Sequence, residues 1–505
     1  IQTNRRLLVV LKRPEPVEMC PRFPEPVPLT HPITSLRVAL EKVDVLLRSH
    51  VGSRLPAMSA VVLLNDSVLW NAHFGKRNTS DPSSPPPNEY TVYRIASVSK
   101  IFPTLMLYKL WEEGSLRSLD DPLDKYVPEF SIKNPLGGGS RSNGNSPQPL
   151  SPCAGWPASS PDLCNPLAGL PRRLRSTNLL WGGDTDEALQ LLQDDVLVAD
   201  PGTRCHYSNV AFSLLGRVLG ERVARQDFES WVSENILQRL NMEDTSFQWG
   251  PLSGRPLAVG VYSSGQPAPL YDLGWYRPAG QMYSTTADMA KLTMALLGVP
   301  GASLLRRDTL TTMLTPLFRC HTGYFANATG TPWEVNQQLG YDVVRKDGDL
   351  DGYAATLSLV PRLNLGLVLL MAGVRPTEDL VRQANSYLIP AIENAFREAP
   401  RTLRADSTGV LVMQQFGPQV NASVPAKYLR IRLDYLDQRV FRVVFDTPYP
   451  CKLKVHSSSV SLETQDRQLF NFYKFNNKGL SPGFDSPGLN TYRVHRIAGR
   501  PLFTA

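Results

Sequence analysis

Tyr93-Arg94-Ile95-Ala96-Ser97-Val98-Ser99-Lys100 is the stretch on which the fold reading turns. Strand-like Thr91–Ile95 gives way at Ser97 to a helical pattern ending at Glu112-Glu113-Gly114, with Gly114 as its C-terminal stop. Residues three apart share one helical face, so the Lys100 amine can reach the Ser97 hydroxyl. A serine at a helix N-terminus also meets the positive end of the dipole, which favours a developing alkoxide. The lysine can act as its base where burial or a neighbouring cation lowers its pKa. Taken alone, S-x-x-K is common in long chains; its surroundings decide.

Two further motifs follow in order. Tyr207-Ser208-Asn209 comes after the turn at Pro201-Gly202. A tyrosine can relay a proton once nearby lysines favour its phenolate, and an asparagine can bond a substrate carbonyl while orienting a lysine. Lys346-Asp347-Gly348 then runs into the apolar strand Ala354–Val360. A lysine on a sheet edge supplies positive charge there, and the glycine lets a substrate backbone approach closely.

Outward from these motifs the chain divides by texture. Residues 1–32 read as a tether, with seven prolines between 12 and 32 (Pro14, Pro16, Pro21, Pro24, Pro26, Pro28 and Pro32). Residues 33–398 form the main domain. It opens with a helix over Ile33–His50, capped by Thr34 or Ser35, whose apolar residues Leu36, Leu40, Val43 and Leu47 recur at helical spacing. A hairpin follows, Ala60–Leu64 and Val68–Trp70 around Asn65-Asp66-Ser67. Helical patterns lie at Asp184–Leu192, Val210–Arg225 and Thr285–Leu297, and Ala354–Val360 and Leu365–Met371 read as paired buried strands. Residues 137–166 are rich in Gly, Ser and Pro and read as a disordered insertion. Residues 399–505 suggest a small β domain, with strands at Tyr428–Leu433, Val440–Phe445 and Lys452–His456.

Composition narrows the function classes. Hydrophobic residues at 42% and charged residues at 20% of 505 describe an ordinary globular protein. The net charge of +7 is dispersed, its densest cluster being Arg172, Arg173 and Arg175 with no interleaved aromatics, which speaks against nucleic acid as a partner. Seven scattered histidines form no H-x-H or H-x-x-x-H pair, which argues against zinc. Asp347–Gly352 imitates a calcium loop, but Ser358 stands at its twelfth position and its flanks read as strands. Among six cysteines, Cys153 and Cys164 are close enough to bridge; Cys20, Cys205, Cys320 and Cys451 are scattered, with Cys205 read as core. Sequons at Asn65, Asn78, Asn327 and Asn421 lean towards a secretory route, as a secreted or membrane-anchored protein. No run approaches the roughly 18 apolar residues of a membrane span. The start at Ile1 rather than Met leaves room for a preceding signal peptide or membrane anchor. Oligomeric state is left open.

Together the three motifs resemble the ordered signature of active-site serine penicillin-recognising enzymes: S-x-x-K, then S-D-N or Y-x-N, then K-T-G. The flanking text is similar too: Leu110-Trp111-Glu112-Glu113-Gly114, Leu119-Asp120-Asp121-Pro122, Pro201-Gly202-Thr203, Leu214-Leu215-Gly216 and Pro278-Ala279-Gly280. The resemblance covers about residues 35–395 and points to the class C β-lactamase, D,D-peptidase and esterase branch, the animal β-lactamase-like proteins above all. It implies an α/β (α+β) fold of β-lactamase/transpeptidase type: an antiparallel central sheet flanked by helices, a helical subdomain carrying the second motif, and the small C-terminal β domain beside it.

By that resemblance Ser97 is the acylated nucleophile, Lys100 its base partner and Tyr207 the proton relay. Asn209 holds the substrate amide, and Lys346 adds positive charge beside Tyr207. The backbone N–H groups of Ser97 and Asp349, next to Gly348, form the oxyanion hole. The reaction is two-step acyl transfer on a small-molecule or peptide ester or amide, with no cofactor. The alternative is a catalytically silent relative used for binding or scaffolding.

Departures feed that alternative. Asp347 stands where the family has Thr or Ser, Asp349 occupies the oxyanion-hole position, and Pro103 falls in the first turns of the nucleophile's helix. Of the family's small-Ser-Gly-Leu-Pro turn, Ala168-Gly169-Leu170-Pro171-Arg172 remains. Period-two alternation puts Asp347 and Asp349 on one face of their strand. Facing the cleft, a like charge at about 4 Å costs roughly 4 kcal/mol at an effective dielectric near 20, which would disfavour an anionic β-lactam.

Overall fold

Three apolar runs build the middle of a nine-stranded sheet. In this computed structural model the described residues are 27–28, 34–133, 169–199, 205–299, 302–320, 324–402 and five strands between Arg430 and His495. The strands of the large sheet are β1 (Val27–Pro28), β2 (Ala57–Leu64) and β3 (Ser67–Gly75), then β6 (Phe318–Arg319), β7 (Ala328–Thr329), β8 (Glu334–Gln338), β9 (Tyr341–Leu350), β10 (Tyr353–Val360) and β11 (Leu365–Ala372). Between them in sequence, β4 (Tyr93–Arg94) and β5 (Tyr283–Ser284) pair as a separate short ribbon. The sheet order is β1-β3-β2-β11-β10-β9-β8-β7-β6, antiparallel except for β1 against β3. Pro28 falls on an edge strand, where a proline is tolerated.

The helices are α1 (Thr34–Arg48), α2 (Ile101–Glu112), α3 (Thr185–Gln193), α4 (Asn209–Val218) and α5 (Phe228–Val232). After them come α6 (Arg277–Gly280), α7 (Thr286–Leu296), α8 (Arg307–Leu314) and α9 (Leu380–Thr402). Strand parity sorts the core into two layers. Val61, Leu63, Leu357, Leu359, Val368 and Leu370 face α2 and α7, packing with Ile101, Phe102, Met289 and Leu292. Their neighbours Met58, Val62, Leu367 and Leu369 face the other way, onto Leu36, Leu40, Val43 and Leu47 of α1 and Leu388 and Ile392 of α9. Each fully buried Leu or Val contributes about 1.5–3 kcal/mol, so the central strands are held from both sides.

The periodic segments fall close to where the sequence puts them. α3 starts at a capping box, with Asp184 accepting from the Glu187 N–H and Glu187 accepting in return. The helical pattern over Val210–Arg225 divides into α4 and a π-helical turn, Leu219–Ala224, closed by Arg225 at φ 58°. Pro103 is the third residue of α2, and the helix runs on through Glu112. Because the turn Ala96–Lys100 leads straight into α2, the proline withholds one backbone donor from the carbonyl four residues back without ending the helix. Ser35 does not cap α1: its buried hydroxyl has no hydrogen-bond partner. The calcium-loop mimic runs as β9 and β10, joined at Asp351-Gly352.

Cys205 is a correction. It is buried, but rather than a core thiol it is disulfide-bonded to Cys320 across 115 residues. That pairing tethers the segment leading into Tyr207 to the end of β6, a contact that only the folded sheet brings about. The pairing read for Cys153 and Cys164, the insertion 137–166, the strand Lys452–His456 and the Asn421 sequon lie outside the described residues. Asn65 and Asn327 are exposed, and Asn78 is half-buried.

Two compact units divide the chain, one spanning Arg22–Phe396 and one that includes Arg397–Ala505. The second carries an antiparallel sheet of β12 (Arg430–Asp437), β13 (Val440–Asp446), β14 (Leu469–Phe472), β15 (Gly483–Ser486) and β16 (Thr491–His495), in that order. Among the described residues no helix is long and apolar enough to cross a membrane. Cross-linking a loop of this length is worth about 2–4 kcal/mol, so Cys320→Ser should lower the midpoint of denaturant unfolding by that much stability. An unchanged midpoint in native and variant protein would mean that the cysteines do not bridge in solution.

Candidate active site

Ser97 is held by a strained turn. The preceding Ala96 sits at φ 49°, a left-handed conformation that costs a residue with a Cβ on the order of 1 kcal/mol or more. Ala96–Lys100 is a 3-10 turn that leads into α2, so the helix read from Ser97 onward begins as a tighter coil. Segment 281–284 clamps this turn: Met282 O accepts from the Ile95 N–H at 2.9 Å, and the Met282 N–H donates to Ser99 Oγ at 3.0 Å. Behind it, Tyr93 and Ser59 hydroxyls bond at 2.9 Å in the core. In front, β9 crosses so closely that a Cβ on Gly348 would lie 2.6 Å from both Ile95 O and Ser97 N. A hydrogen is all that fits there. The third motif's glycine therefore brings two pieces of backbone together.

Lys100 is fully buried, and its Nζ donates to Ser97 Oγ at 2.9 Å, Asn209 Oδ1 at 2.9 Å and Ala279 O at 2.6 Å. Among the described residues no carboxylate pairs with it. Burial without a counter-charge drives its pKa down to about 8, with Tyr207 opposing the fall and Lys346 adding to it. When Lys100 loses the proton facing Ser97, its other two N–H groups keep their fixed acceptors. The vacated lone pair then points at the Ser97 hydroxyl.

The second motif arrives on the start of α4. Ser208 is the helix cap: its Oγ accepts from the Ala211 N–H at 3.0 Å and donates to Pro171 O at 2.8 Å. The Asn209 N–H donates to Arg172 O at 3.3 Å. With the middle residue so fixed, Tyr207 and Asn209 both reach the cleft. Tyr207 Oη lies 2.6 Å from Ser97 Oγ. Burial alone would raise this phenol's pKa, but Lys100 and Lys346 outweigh it and the net shift is downward. Three cations flank the ring: Lys100 Nζ at 4.8 Å, Lys346 Nζ at 5.4 Å and the Arg172 guanidinium at 5.5 Å from its centroid.

Lys346 projects from β9 and is also fully buried, but unlike Lys100 it has a counter-ion. Its Nζ pairs with Glu334 on β8, and it donates to Asp347 O at 2.8 Å. Burial disfavours its charge, yet Glu334 more than offsets this and holds Lys346 above the ordinary ammonium range. Sequence analysis missed Glu334. Gln338 and Tyr341 pair across the two-residue turn Leu339-Gly340, both at positive φ, which sets Glu334 opposite Arg345. A hairpin read around that turn would bring Glu334 beside this strand opposite Arg345, but its reach to Lys346 and the Asp347 N–H appears only in the fold. Also missed are Ala279 as a lysine acceptor and Tyr324, whose pKa is pushed up to about 12 by burial and by Glu334.

The charge argument against anionic substrates is corrected by strand parity. Val344 packs in the layer of the nucleophile helix and Val343 in the opposite layer. Lys346 and Gly348 share the first face, so Asp347 and Asp349 lie on the second, as does Arg345. Both carboxylates are answered there. Arg345 pairs with Asp347, Arg375 lies 3.8 Å from Asp347, and Arg375 bonds Asp349 at 2.7 Å. Burial would raise the Asp347 carboxyl, but the two arginines bring it below its usual range.

All seven residues read from sequence (Ser97, Lys100, Tyr207, Asn209, Lys346, Gly348 and Asp349) thus surround one cleft, although the Asp349 side chain turns away from it. Among the described residues no cluster of His, Cys, Asp and Glu could hold a metal ion. Known proteins similar in sequence and structure bear on the family and the fold. A family model described as beta-lactamase matches residues 43–389. The human protein beta-lactamase-like 1 is 54% identical, over 96% of this chain and 100% of its own. Beta-lactamase-like protein 2 of Dictyostelium discoideum is 29% identical, over 75% of this chain and 68% of its own. Among solved structures, the octameric penicillin-binding protein homologue of Pyrococcus abyssi superimposes with a TM-score of 0.56 at 19% identity, covering 88% of this chain and 96% of its own. A D-alanine carboxypeptidase from Burkholderia cenocepacia gives 0.55 at 19%, covering 70% and 99%. At such identities the two structures speak for the fold alone.

The depressed amine gives a pH signature. Acylation of Ser97 should rise with pH as Lys100 loses its proton and level off above an apparent midpoint near 8. The check is the rate of acylation by a neutral activated ester from pH 6 to 10. A flat profile, or one unchanged by Lys100→Met, would remove the lysine from the base role.

Proposed function

The chain belongs to the β-lactamase family, and from that premise we propose that it is a serine hydrolase cleaving an ester or amide through an acyl-enzyme on Ser97. The observation that carries this reading is the Ser97–Lys100–Tyr207 cluster: a hydroxyl within 2.9 Å of an amine whose pKa is near 8, and within 2.6 Å of a phenol shifted down.

In the first step the Lys100 amine takes the Ser97 proton as Oγ bonds the substrate carbonyl carbon. The carbonyl electron pair moves onto oxygen, facing the N–H groups of Ser97 and Asp349. Asp347 N–H donates to Glu334 Oε2 at 3.1 Å, so it points away from β10. Alternation then sends the Asp349 N–H towards the same open edge, beside Ser97. As the tetrahedral intermediate collapses, the leaving oxygen or nitrogen departs with a proton passed through Tyr207. Water, deprotonated by the same groups, next attacks the acyl carbon and Ser97 recovers its proton. Asn209 bonds the substrate amide, and Lys346, kept charged by Glu334, maintains the positive potential around Tyr207. No cofactor enters these steps.

The rival reading, a silent relative used for binding, drew its support from Asp347, Asp349, Pro103 and the insertion that leaves only Ala168-Gly169-Leu170-Pro171-Arg172 of the family's turn. The first two are neutralised on the far face of β9 and the third leaves α2 unbroken, so those three no longer favour it, while the insertion 137–166 lies outside the described residues. The substrate class is a small-molecule or peptide ester or amide.

A fluorophosphonate should add once to the native protein, as read by intact mass, and Ser97→Ala should abolish the adduct. Lys100→Met should slow acylation by about 10²–10⁴ while leaving thermal unfolding in place. A well-folded native protein that takes no label, or a Ser97→Ala variant that still does, would sink the assignment and return the silent reading.

A further inference from the structure

Resting on that reading, we propose that Arg375 is a positioning residue that holds and polarises the oxyanion-hole peptide. Arg375 follows β11 and no sequence motif points to it. Its own backbone is clamped: Val374 N–H donates to Arg54 O at 2.8 Å, and a Cβ on Gly373, at φ 147°, would meet Arg54 O at 2.5 Å. From this fixed base the guanidinium reaches the third motif from the face opposite Ser97. Nη2 donates to Gly348 O at 3.0 Å and Ala355 O at 2.7 Å, Nη1 to Thr356 Oγ1 at 2.9 Å, and Nε to Asp349 Oδ1 at 2.7 Å.

One of those acceptors matters for the chemistry. Gly348 O and the Asp349 N–H are the two ends of a single peptide unit. In a trans peptide they point in opposite directions, so a cation on the carbonyl leaves the N–H facing the substrate oxygen. A charged donor on a carbonyl draws electron density from the amide and makes its N–H a stronger donor, as in any chain of hydrogen bonds. The same guanidinium neutralises the Asp349 carboxylate on the far face of the strand that carries the oxyanion-hole N–H. Arg345 provides an internal contrast. It bonds the Asp347 and Asp379 carboxylates on the same face rather than a backbone carbonyl of the third motif.

The test uses the native chain, Arg375→Gln, Arg345→Gln, Asp349→Ala and the double variant Asp349→Ala/Arg375→Gln. The readouts are kcat and KM for p-nitrophenyl acetate and the affinity for phenylboronic acid, whose adduct on Ser97 carries a negative oxygen. Removing an oxyanion donor outright costs about 10²–10³ in rate. Because Arg375 acts through the peptide, Arg375→Gln should lower kcat and boronate affinity about tenfold with little change in KM. That loss should persist with Asp349 removed, whereas Arg345→Gln should change neither value by more than about twofold. Equal losses in Arg345→Gln, or recovery in the double variant, would reduce Arg375 to a neutraliser of carboxylates and overturn the proposal. Should Arg375→Gln fail to fold by circular dichroism, Arg375→Lys replaces it, since it keeps a cation but loses the fork. A native protein that the ester never acylates ends the hydrolase reading and this proposal together, whereas acylation unchanged by Arg375→Gln ends this proposal alone.

Discussion

Two lysine ammoniums are buried on either side of one phenol, and Glu334 answers one of them. That unequal sharing sets the protonation of the whole cleft. Burying two like charges in a poorly polarisable interior is costly, and the cost is relieved either by a counter-ion or by loss of a proton. Lys346 takes the first course through Glu334 and stays charged. Lys100 has fixed neutral acceptors instead, so its pKa falls to about 8 and it gives up its proton far more readily. Environments that push two similar groups apart are how one site comes to hold both a base and an electrostatic anchor. Tyr207, lying against both, is drawn towards its phenolate by their combined field.

This electrostatic division would be useless on a loose frame. β2, β10 and β11 are buried on both faces, and the turn carrying Ser97 packs on one of those faces through Val98, Ile101 and Phe102. Ala96 retains its unfavourable backbone because β4, segment 281–284 and Gly348 surround it. Strain at one residue is thus sustained by the strand just before it and by two distant parts of the chain. The tether from Cys205 to Cys320 restrains the approach to Tyr207 in the same spirit.

What could be read from sequence was local. Leu36, Leu40, Val43 and Leu47 show their buried stripe in their spacing, and Ala354–Val360 shows its two-sided burial in an unbroken apolar run. The serine and lysine of the first motif meet because three residues span less than one helical turn. The rest depended on contacts across long sequence separations. Glu334 becomes visible only through the pairing of β8 with β9, Arg375 through a return of the chain after β11, and Cys205–Cys320 through the closure of the sheet. Alternation placed Asp347 and Asp349 together, but the choice of face was made by the two hydrophobic layers, visible in Val343 and Val344. Reading those aspartates as part of the cleft confused adjacency in sequence with adjacency in space.

The parity of β9 has a consequence for how this protein can change. Consecutive residues of one strand serve two separate surfaces: Lys346 and Gly348 serve the cleft, and Arg345, Asp347 and Asp349 serve the ion-pair layer behind it. Short turns bound the strand at both ends, Leu339-Gly340 and Asp351-Gly352. Slipping the pairing by a single residue would exchange the two sets wholesale, exposing arginine and aspartate to Ser97 and burying lysine among carboxylates. The hairpins around β9 can therefore vary in composition far more freely than in length, and an insertion or deletion of one residue there would erase the site while sparing most of the fold.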